Sequence, residues 1–551
     1  MSKNLSELSG RKGILDNLFD KMGEAAVSEG TPSQEKLDAL AEEFLVGKSS
    51  TYGTITAYDF MKPENKGKKA YVCNGSACLC AGTQEAVISE LEKKFDATEI
   101  GHMTCLGRCH ENGAFNVGGK NYSGDAYNKI KEICHTEPVE VSNKDKYNVE
   151  ANIEVLTAPY DGFEIHYDVL KKALAQDSTA ILEEIKKSNI RGRGGAGFPM
   201  GFKWESCRNE DSKDKFIICN ADEGDPGAYS DRYLLEERPH SVLFGMMIAG
   251  YCTNAKWGIL YIRAEYPESV EIVQNAIDEL RANSLLGENI NGSGFDFDFK
   301  IIKAQGAYIC GEETALINSI EGQRPEVRTR PPYPTQQGLF NKPTIVNNVE
   351  TLAAVYQIIK NGGETYSKLG TDKSTGTKLV CLDSFFNKPG MYEVEMGTSL
   401  SVVINDFGGG FKSPVKALHI GGPLGGLVPV TKIEKLNIDF ESFAIEGFLL
   451  GHASVVCVPE SFSIMKYIEH LFEFASYESC GKCFPCRLGT KRGQEMAQKA
   501  INDNYKIDRK LFDDLLNTLE EGSLCAHGGG IPLPVKNALQ YFDNELKEYF
   551  A

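Results

Sequence analysis

The sequence has 551 residues, 41% of them hydrophobic, and a formal net charge of -18. That length asks for three or four domains of about 150 residues each. The charge excludes nucleic acid and anionic membrane as partners, because neither polyanion gains by meeting an acidic surface.

The opening MSKNLSELSGRKG lacks an apolar signal core, and the longest apolar run, around Ser241 to Cys252, is too short to cross a bilayer. A soluble, cytoplasmic protein without membrane insertion is expected. Sixteen cysteines with no export signal point to metal or redox chemistry rather than a disulfide framework.

Residues 1–60 read as helices. Thr31-Pro32-Ser33-Gln34 offers an N-cap, a proline at the first helical position and a capping-box partner, ahead of the stripe Leu37, Leu40, Ala41, Phe44 and Leu45. From Lys69 a strand at Ala70 to Val72, a cysteine loop, a helix with Val87, Leu91 and Phe95, a second cysteine loop and a strand pair around Phe115 to Tyr122 follow. This is a small α/β unit ending near residue 140, and 142–146 reads as a linker. Residues 151–368 alternate helix and strand as an α/β domain. Residues 369–442 are strand-rich, with Met391 to Glu395 alternating, and 443–551 return to helix. There the apolar faces are Ile464, Ile468, Leu471, Phe472, Ala475, and Leu511, Leu515, Leu516, Leu519.

Eight cysteines fall into two groups. Cys480, Cys483 and Cys486 stand at two-residue intervals, with Cys525 as a distant fourth ligand, a set suited to a 4Fe-4S cluster. A structural zinc site is the alternative, although zinc more often takes two paired arms. Cys73 and Cys78, then Cys105 and Cys109, put two thiols in each of two loops after strands, which suits a 2Fe-2S rhomb. Zinc or a redox-active dithiol is the alternative there, with Cys80 a bystander. The scattered cysteines (Cys80, Cys134, Cys207, Cys219, Cys252, Cys310, Cys381, Cys457) read as small buried hydrophobes.

Gly192-Arg193-Gly194-Gly195-Ala196-Gly197-Phe198 contains a G-x-G-x-x-G whose backbone N–H groups could approach a phosphate, with Lys203 as a nearby charge. The segment before it, Ala180 to Lys187, reads as helix rather than strand, so a standard Rossmann turn is not expected, and a surface loop is the bland reading. Asn220, Asp222, Glu223 and Asp225 end a strand-like run. Acids there would repel phosphate and suit sugar hydroxyls, ring N–H groups or a carboxamide; a solvated turn is the alternative. Tyr308, Glu312 and Glu313 repeat the theme with a ring available for stacking, and Asn347 and Asn348 add paired amides.

At these residues the chain resembles the NADH-binding flavoprotein subunit of respiratory complex I and its soluble relatives in NAD-linked hydrogenases and formate dehydrogenases. The resemblance runs from about 153 to the end through RGRGGAGFP (191–199), CNADEGDPG (219–227), CGEETAL (310–316), NNVET (347–351) and ESCGKCFPCRLGT (478–490). The first 140 residues resemble the thioredoxin-like 2Fe-2S subunit that accompanies it, so two usual subunits are fused.

The resemblance implies an α/β multidomain chain. Its parts are a helical leader plus thioredoxin-like ferredoxin domain (1–140), an FMN- and NAD(H)-binding α/β domain (151–368), a ubiquitin-like β-grasp insert (369–442) and a helical bundle with the 4Fe-4S cluster (443–551). It implies FMN held by Gly192 to Gly197, Lys203, Asn220, Asp222, Tyr308, Glu312, Asn347 and Asn348. Phe198, Glu223, Asp225, Tyr308, Glu313 and Tyr333 match the nicotinamide-nucleotide contacts. No acid or base catalyst is needed, because hydride passes directly to flavin and electrons leave singly to clusters.

Three departures mark this chain. Asp225 stands where complex I members usually have glutamate, and soluble bifurcating relatives often share it. Ser206 replaces an aromatic residue. Gly451-His452-Ala453-Ser454 replaces a glycine-rich turn, with no account of the histidine. The implied protein is a diaphorase-type subunit in a hetero-oligomer with a hydrogenase, a formate dehydrogenase or another reductase, with ferredoxin as a further partner if the complex bifurcates electrons. A non-catalytic electron-conducting scaffold is the competing reading.

Overall fold

The computed structural model describes residues 3–133, 147–503 and 505–551. The expected linker at 142–146 and Cys134 lie outside the described residues.

The leader forms helices Leu18–Glu29, Gln34–Phe44 and Lys48–Ile55. The second is capped by Ser33, whose hydroxyl accepts from the Lys36 N–H, so Thr31 and Pro32 precede the helix rather than begin it. Phe19, Met22, Leu37, Leu40 and Phe44 are buried with Ile218, Ile259, Ile302 and Ile320 of the α/β domain. The leader's stripe therefore covers one face of that domain's sheet, and Tyr58 Oη donating to Ser319 Oγ at 2.8 Å pins it there.

The cysteine unit that follows has strands β1 (Ala70–Cys73), β2 (Ile100–Met103), β3 (Phe115–Val117) and β4 (Lys120–Tyr122) in the order β2-β1-β3-β4. The pair β1 and β2 is parallel, and β3 and β4 close an antiparallel hairpin. Each cysteine loop leaves the carboxyl end of one of the two parallel strands, so both arrive at the same edge.

Past the undescribed stretch comes a short strand, β5 (Val149–Ala151). The α/β domain then contributes β6 (Phe216–Ala221), β7 (Trp257–Ile262), β8 (Asp298–Lys303) and β9 (Thr344–Asn348), all parallel in the order β8-β7-β6-β9. Continuous apolar runs such as FIIC and GILYI suit strands covered on both faces. The leader covers one face, and the buried helix Pro239–Thr253 lies against the other. Register pairs Cys219 with Asn347 and Asn220 with Asn348, so the acidic loop and the amide pair leave the sheet side by side at its carboxyl end.

The third sheet adds β10 (Thr377–Leu382), β11 (Gly390–Glu395), β12 (Val415–Ile420), β13 (Gly426–Pro429) and β14 (Ser454–Pro459), in the order β13-β12-β14-β10-β11-β5. The border expected at 442 cuts this sheet, because β14 is its central strand, parallel to β10 and antiparallel to β12. The alternation read at Met391 to Glu395 does not expose its acids evenly. Glu393 is fully buried and accepts from the N–H groups of Leu156 (2.8 Å) and Thr157 (2.9 Å) and from the hydroxyls of Thr157 and Thr377 (both 2.6 Å).

The C-terminal helices are Ile464–Tyr477, Phe484–Asn502, Arg509–Gly522, Ala526–Gly530 and Pro532–Tyr541. Ile464, Ile468, Leu471, Phe472 and Ala475 form the buried face that their spacing dictates. On Arg509–Gly522 the buried face is Phe512, Leu516 and Leu519, and Leu511 is exposed. Phe512 begins the i, i+4, i+7 series, which rotates Leu511 off the face. Of the scattered cysteines, the seven that are described are all buried.

Candidate functional site

The glycine loop lies between two helices, Ser178–Lys187 and Met200–Arg208, as the helical reading of 180–187 requires. It is closed by the Gly192 N–H donating to Phe198 O at 2.9 Å. Gly195 and Gly197 have φ of 114° and 59°, which side chains tolerate poorly. A Cβ on Gly194 would lie 3.0 Å from Asn348 Cβ, so glycine keeps a cradle open between this loop and the amide pair. Arg193 does not line the cradle. It is buried, and its guanidinium runs back to Thr375 O while its N–H donates to Thr351 Oγ1 at 2.8 Å.

The predicted residues divide by what their side chains already hold. Asn220 Nδ2 donates to Gly311 O at 2.8 Å. Asn348 caps the helix Val349–Ala353 and donates to Asp231 Oδ2 at 2.7 Å. Asn347 Oδ1 accepts from Trp204 Nε1 at 2.8 Å. Glu312 caps the helix Glu313–Ile320 through the N–H groups of Thr314 and Ala315. Lys203 reaches Glu313 Oε2 (2.8 Å) and Val346 O (2.7 Å), and Arg330 reaches the other Glu313 oxygen at 3.1 Å. Burial pushes the Glu313 carboxyl up, but the two cations more than offset it and hold it below its ordinary value.

Glu223 is turned away from the cradle. It accepts from the N–H groups of Asp231 (2.9 Å) and Arg232 (3.2 Å) and from Ser230 Oγ at the start of the helix Ser230–Glu237, so it is an internal cap. Phe198 and Tyr333 stand at the mouth, 51% and 54% exposed, with Phe202 edge-on to Phe198 at 5.9 Å. Asp222 Oδ2 is buried without a hydrogen-bond partner, and burial raises its pKa well above the ordinary carboxylate value. The open glycine cradle fits a phosphate, and the orphaned Asp222 carboxyl a polar ring edge, so these residues fit a phosphate-bearing ring such as FMN.

Both cysteine groups abut this pocket. Cys73, Cys78, Cys105 and Cys109 are all buried, with Cys105 Sγ and Cys109 Sγ 3.5 Å apart. The Gly227 N–H, from the acidic loop, donates to Cys109 Sγ at 3.2 Å. Arg263 donates to Glu223 O and to Cys105 O at 2.9 Å, and Arg232 donates to Gly107 O at 2.8 Å. On the other side, Cys480 and Cys525 pack against Ile309, Ala315 and Val327. Burial pushes the Cys486 thiol up to about 12 and Cys525 up to about 11, so these thiols favour the neutral form until iron supplies the compensating charge. Among the described residues no group of three or more His, Cys, Asp or Glu side chains is arranged around a single metal ion.

One carboxylate joins the two groups. Glu478 accepts from Thr104 Oγ1 at 3.0 Å and from the Tyr308 N–H at 2.9 Å, two residues ahead of Cys480. Sequence reasoning missed Glu478, Arg263, Arg232 and Phe202. Arg263 follows the carboxyl end of β7, where parallel sheets gather site residues, and that position was the available signal.

Fold and site together define an iron–sulfur flavoprotein built around a dinucleotide pocket. Three family models match: the Nuo51 FMN-binding domain over residues 185–357, the NADH-ubiquinone oxidoreductase-F iron-sulfur binding region over 466–549, and the thioredoxin-like [2Fe-2S] ferredoxin over 14–137. The chain is 42% identical over 386 residues, 70% of its length and 78% of the relative's, to the NADP-reducing hydrogenase subunit HndC of Solidesulfovibrio fructosivorans. It is 35% identical over 519 residues, 89% of its length and 84% of the relative's, to the NAD-reducing hydrogenase HoxS subunit alpha of Cupriavidus necator. A chain of the crystal structure of an NAD+-reducing [NiFe]-hydrogenase in the H2-reduced state superposes with a TM-score of 0.85 at 26% identity, covering 97% of this chain and 94% of that one. The chain belongs to the family of FMN-binding 4Fe-4S subunits of NADH oxidoreductases and NAD(P)-reducing hydrogenases, here carrying a thioredoxin-like 2Fe-2S domain. Among the described residues no helix is long and apolar enough to cross a membrane.

Proposed function

We propose that the protein is the dinucleotide-oxidising and dinucleotide-reducing subunit of a soluble, cytoplasmic hydrogenase-type complex, exchanging electrons between NAD(H) or NADP(H) and partner redox subunits. FMN, held by the residues named below, would supply two-electron chemistry towards the dinucleotide and one-electron chemistry towards the clusters. The observation that supports this reading is Glu478, which ties the Cys105 loop and Tyr308 to the Cys480 loop, as expected if both clusters serve one flavin.

In this reading the chain's residues bind, orient and exclude water. The loop Gly192 to Gly197 cradles the flavin phosphate with Asn347 and Asn348, and Asp222 hydrogen-bonds the polar edge of the ring. Lys203, Asn220 and Glu312 fix the walls that carry these groups. Phe198 and Tyr333 cover the dinucleotide at the mouth, and Asp225, Tyr308 and Glu313 line its approach. Glu223 acts behind this surface, as a cap that holds the acidic loop. Cys73, Cys78, Cys105 and Cys109 ligate the 2Fe-2S cluster, and Cys480, Cys483, Cys486 and Cys525 the 4Fe-4S cluster. The sheet of β10 to β14 is read as a β-grasp, because its strand order β11-β10-β14-β12-β13 with a parallel central pair is that of the ubiquitin-like fold.

The test is anaerobic mixing of the FMN- and cluster-loaded protein with NADH and, separately, NADPH. Bleaching of the flavin and cluster absorbance by either one supports the reading. Full FMN content with no bleaching by either supports the scaffold reading instead. Copurification from the native host decides among hydrogenase, formate dehydrogenase and ferredoxin partners.

A further inference from the structure

Oxidising one NADH to NAD+ gives up two electrons and one proton. Clusters carry electrons only, so one proton per dinucleotide has to leave the flavin pocket, and the reverse reaction has to import one. Phe198 and Tyr333 cover the mouth in the proposed function, so a second way out would lie in the inner walls.

Most carboxylates of those walls already have their donors. Asp225 accepts from Tyr308 Oη at 2.6 Å and from His452 Nε2 at 2.8 Å. Glu223 is a cap, and Glu478 gives one oxygen to Thr104 and the other to the Tyr308 N–H. Asp222 and Glu265 differ. Asp222 Oδ2 and Glu265 Oε2 are buried without a hydrogen-bond partner, and Glu265 is 3% exposed. Both side chains line one small cavity, together with Asp59, Glu478 and Arg263. Its volume of about 10 Å³ is room for one water, and two orphaned acceptors are what the two O–H groups of a water satisfy. Arg263 is committed to Glu265 Oε1 at 2.9 Å and to the backbone oxygens of Glu223 and Cys105.

The leader supplies the far wall. The Asp59 N–H donates to Gly306 O at 2.8 Å and the Phe60 N–H to Gln305 O at 3.1 Å, which fixes Asp59 beside the segment after β8. Asp59 Oδ1 accepts from Tyr477 Oη at 2.8 Å and from Lys62 Nζ at 2.6 Å. Asp59 also lines a second cavity of about 80 Å³, which shares Gly306, Ala307 and Glu478 with the first. Lys62, Arg324 and Tyr477 bound that second cavity, and Tyr477, 53% exposed, brings it to the surface. Asp222, the inner cavity, Asp59 and the outer cavity thus form a polar line from the flavin pocket to solvent.

We propose that this line conducts the turnover proton: Asp222 passes it from the ring edge to water in the inner cavity, and Asp59 passes it on to the outer cavity and solvent. Each carboxyl takes one proton and gives one up, ending as it began. Burial, which raises the Asp222 pKa, lets that carboxyl hold the proton in passing. The proposal rests on the reading of Asp222 as a contact of the flavin ring.

The experiment reduces the FMN- and cluster-loaded full chain with one equivalent of NADH, then mixes it in weak buffer with ferricyanide, which takes electrons without protons. Absorbance follows the flavin and clusters, and a pH-indicator dye follows the proton. Asp59→Asn should bleach with NADH at the wild-type rate and keep its FMN and both cluster signals. Its proton release on reoxidation should slow by about a hundredfold, the low end for loss of a positioned proton carrier. Proton release at the wild-type rate in this variant overturns the proposal. A wild type that holds FMN and fails to bleach overturns the flavin reading, and the proposal with it. Two checks need no variant. Excess NAD+, which keeps the mouth covered, should leave the rate of proton release from the wild type unchanged, and a delay in step with dinucleotide departure overturns the proposal. A crystal structure of the loaded chain should show water bonded to Glu265 Oε2 in the inner cavity, and a dry cavity overturns it.

Discussion

The two cysteine loops border the same pocket from opposite sides and are built in opposite ways. Cys73, Cys78, Cys105 and Cys109 of the ferredoxin unit are at most 3% exposed, and Arg232 and Arg263 bind the backbone of their second loop to the α/β domain. Cys480, Cys483 and Cys525 are half-buried, and beside them Phe484 and Leu488 stand 67% and 56% exposed. The first group is therefore packed against the acidic loop of the α/β domain, and its geometry is held by what surrounds it. The second has a wall on one side and solvent on the other, so its geometry is held mainly by its own chain.

The largest expected effect follows from removing one ligand on each side. Cys109→Ser should lose the 2Fe-2S signal and also disturb FMN, because the Gly227 N–H that meets Cys109 belongs to the acidic loop. Cys483→Ser should lose the 4Fe-4S signal and leave FMN content near wild type. Iron, sulfide and flavin quantitation with electron paramagnetic resonance reads both, and equal FMN loss in the two variants would break the contrast.

A matched pair of glycines tests the same contrast in stability. Gly107 and Gly481 both have left-handed backbones, with φ of 66° and 79°. A Cβ on Gly107 would lie 2.6 Å from Tyr266 Oη, whereas on Gly481 its nearest neighbour is Arg487 Cδ at 3.8 Å. Gly107→Ala should cost about 3 kcal/mol from strain and overpacking together, and Gly481→Ala about 1 kcal/mol from strain alone. Denaturant unfolding of the holoprotein measures the difference.

The sequence made the outer features of this arrangement legible and hid the joints. Cysteine spacing, the glycine loop and the apolar faces of the long helices are local patterns, and spacing alone reports them. Glu478 and Arg263 act between segments far apart in the chain, so no local pattern marks them. Glu223 read as a ligand contact because its neighbours are acidic, but its carboxylate is consumed by backbone N–H groups eight and nine residues on. The border at 442 failed for a related reason. A central strand contributed from beyond a loop and a short helix looks, residue by residue, like the start of the next domain.

Titration separates the two sides more gently. Asp383 accepts from the N–H groups of Phe385 (3.0 Å) and Cys457 (2.7 Å), and its neighbour Ser384 donates to Cys109 O at 3.2 Å. Burial pushes the Asp383 carboxyl up to about 7. Its folded value lies above the unfolded one, so its contribution is fully present below the unfolded value and is lost as the pH rises to about 7. Asp383→Asn should remove that component, at no more than about 1.4 kcal/mol per pH unit. Thermal unfolding from pH 5 to 7.5 should show the wild type losing its advantage over the variant as pH rises.

The smallest effect belongs to the exposed side. Phe484 lies between two cluster cysteines in sequence, yet its ring meets mainly solvent and the Arg487 guanidinium, 4.7 Å from its centroid. An exposed cation–π contact of that kind contributes about 0.5–1 kcal/mol at most, and truncation leaves no cavity because no core surrounds the ring. Phe484→Ala should therefore shift unfolding by under about 0.5 kcal/mol and leave both cluster signals intact. A loss of several times that size would mean that the second loop is held by its surroundings as firmly as the first.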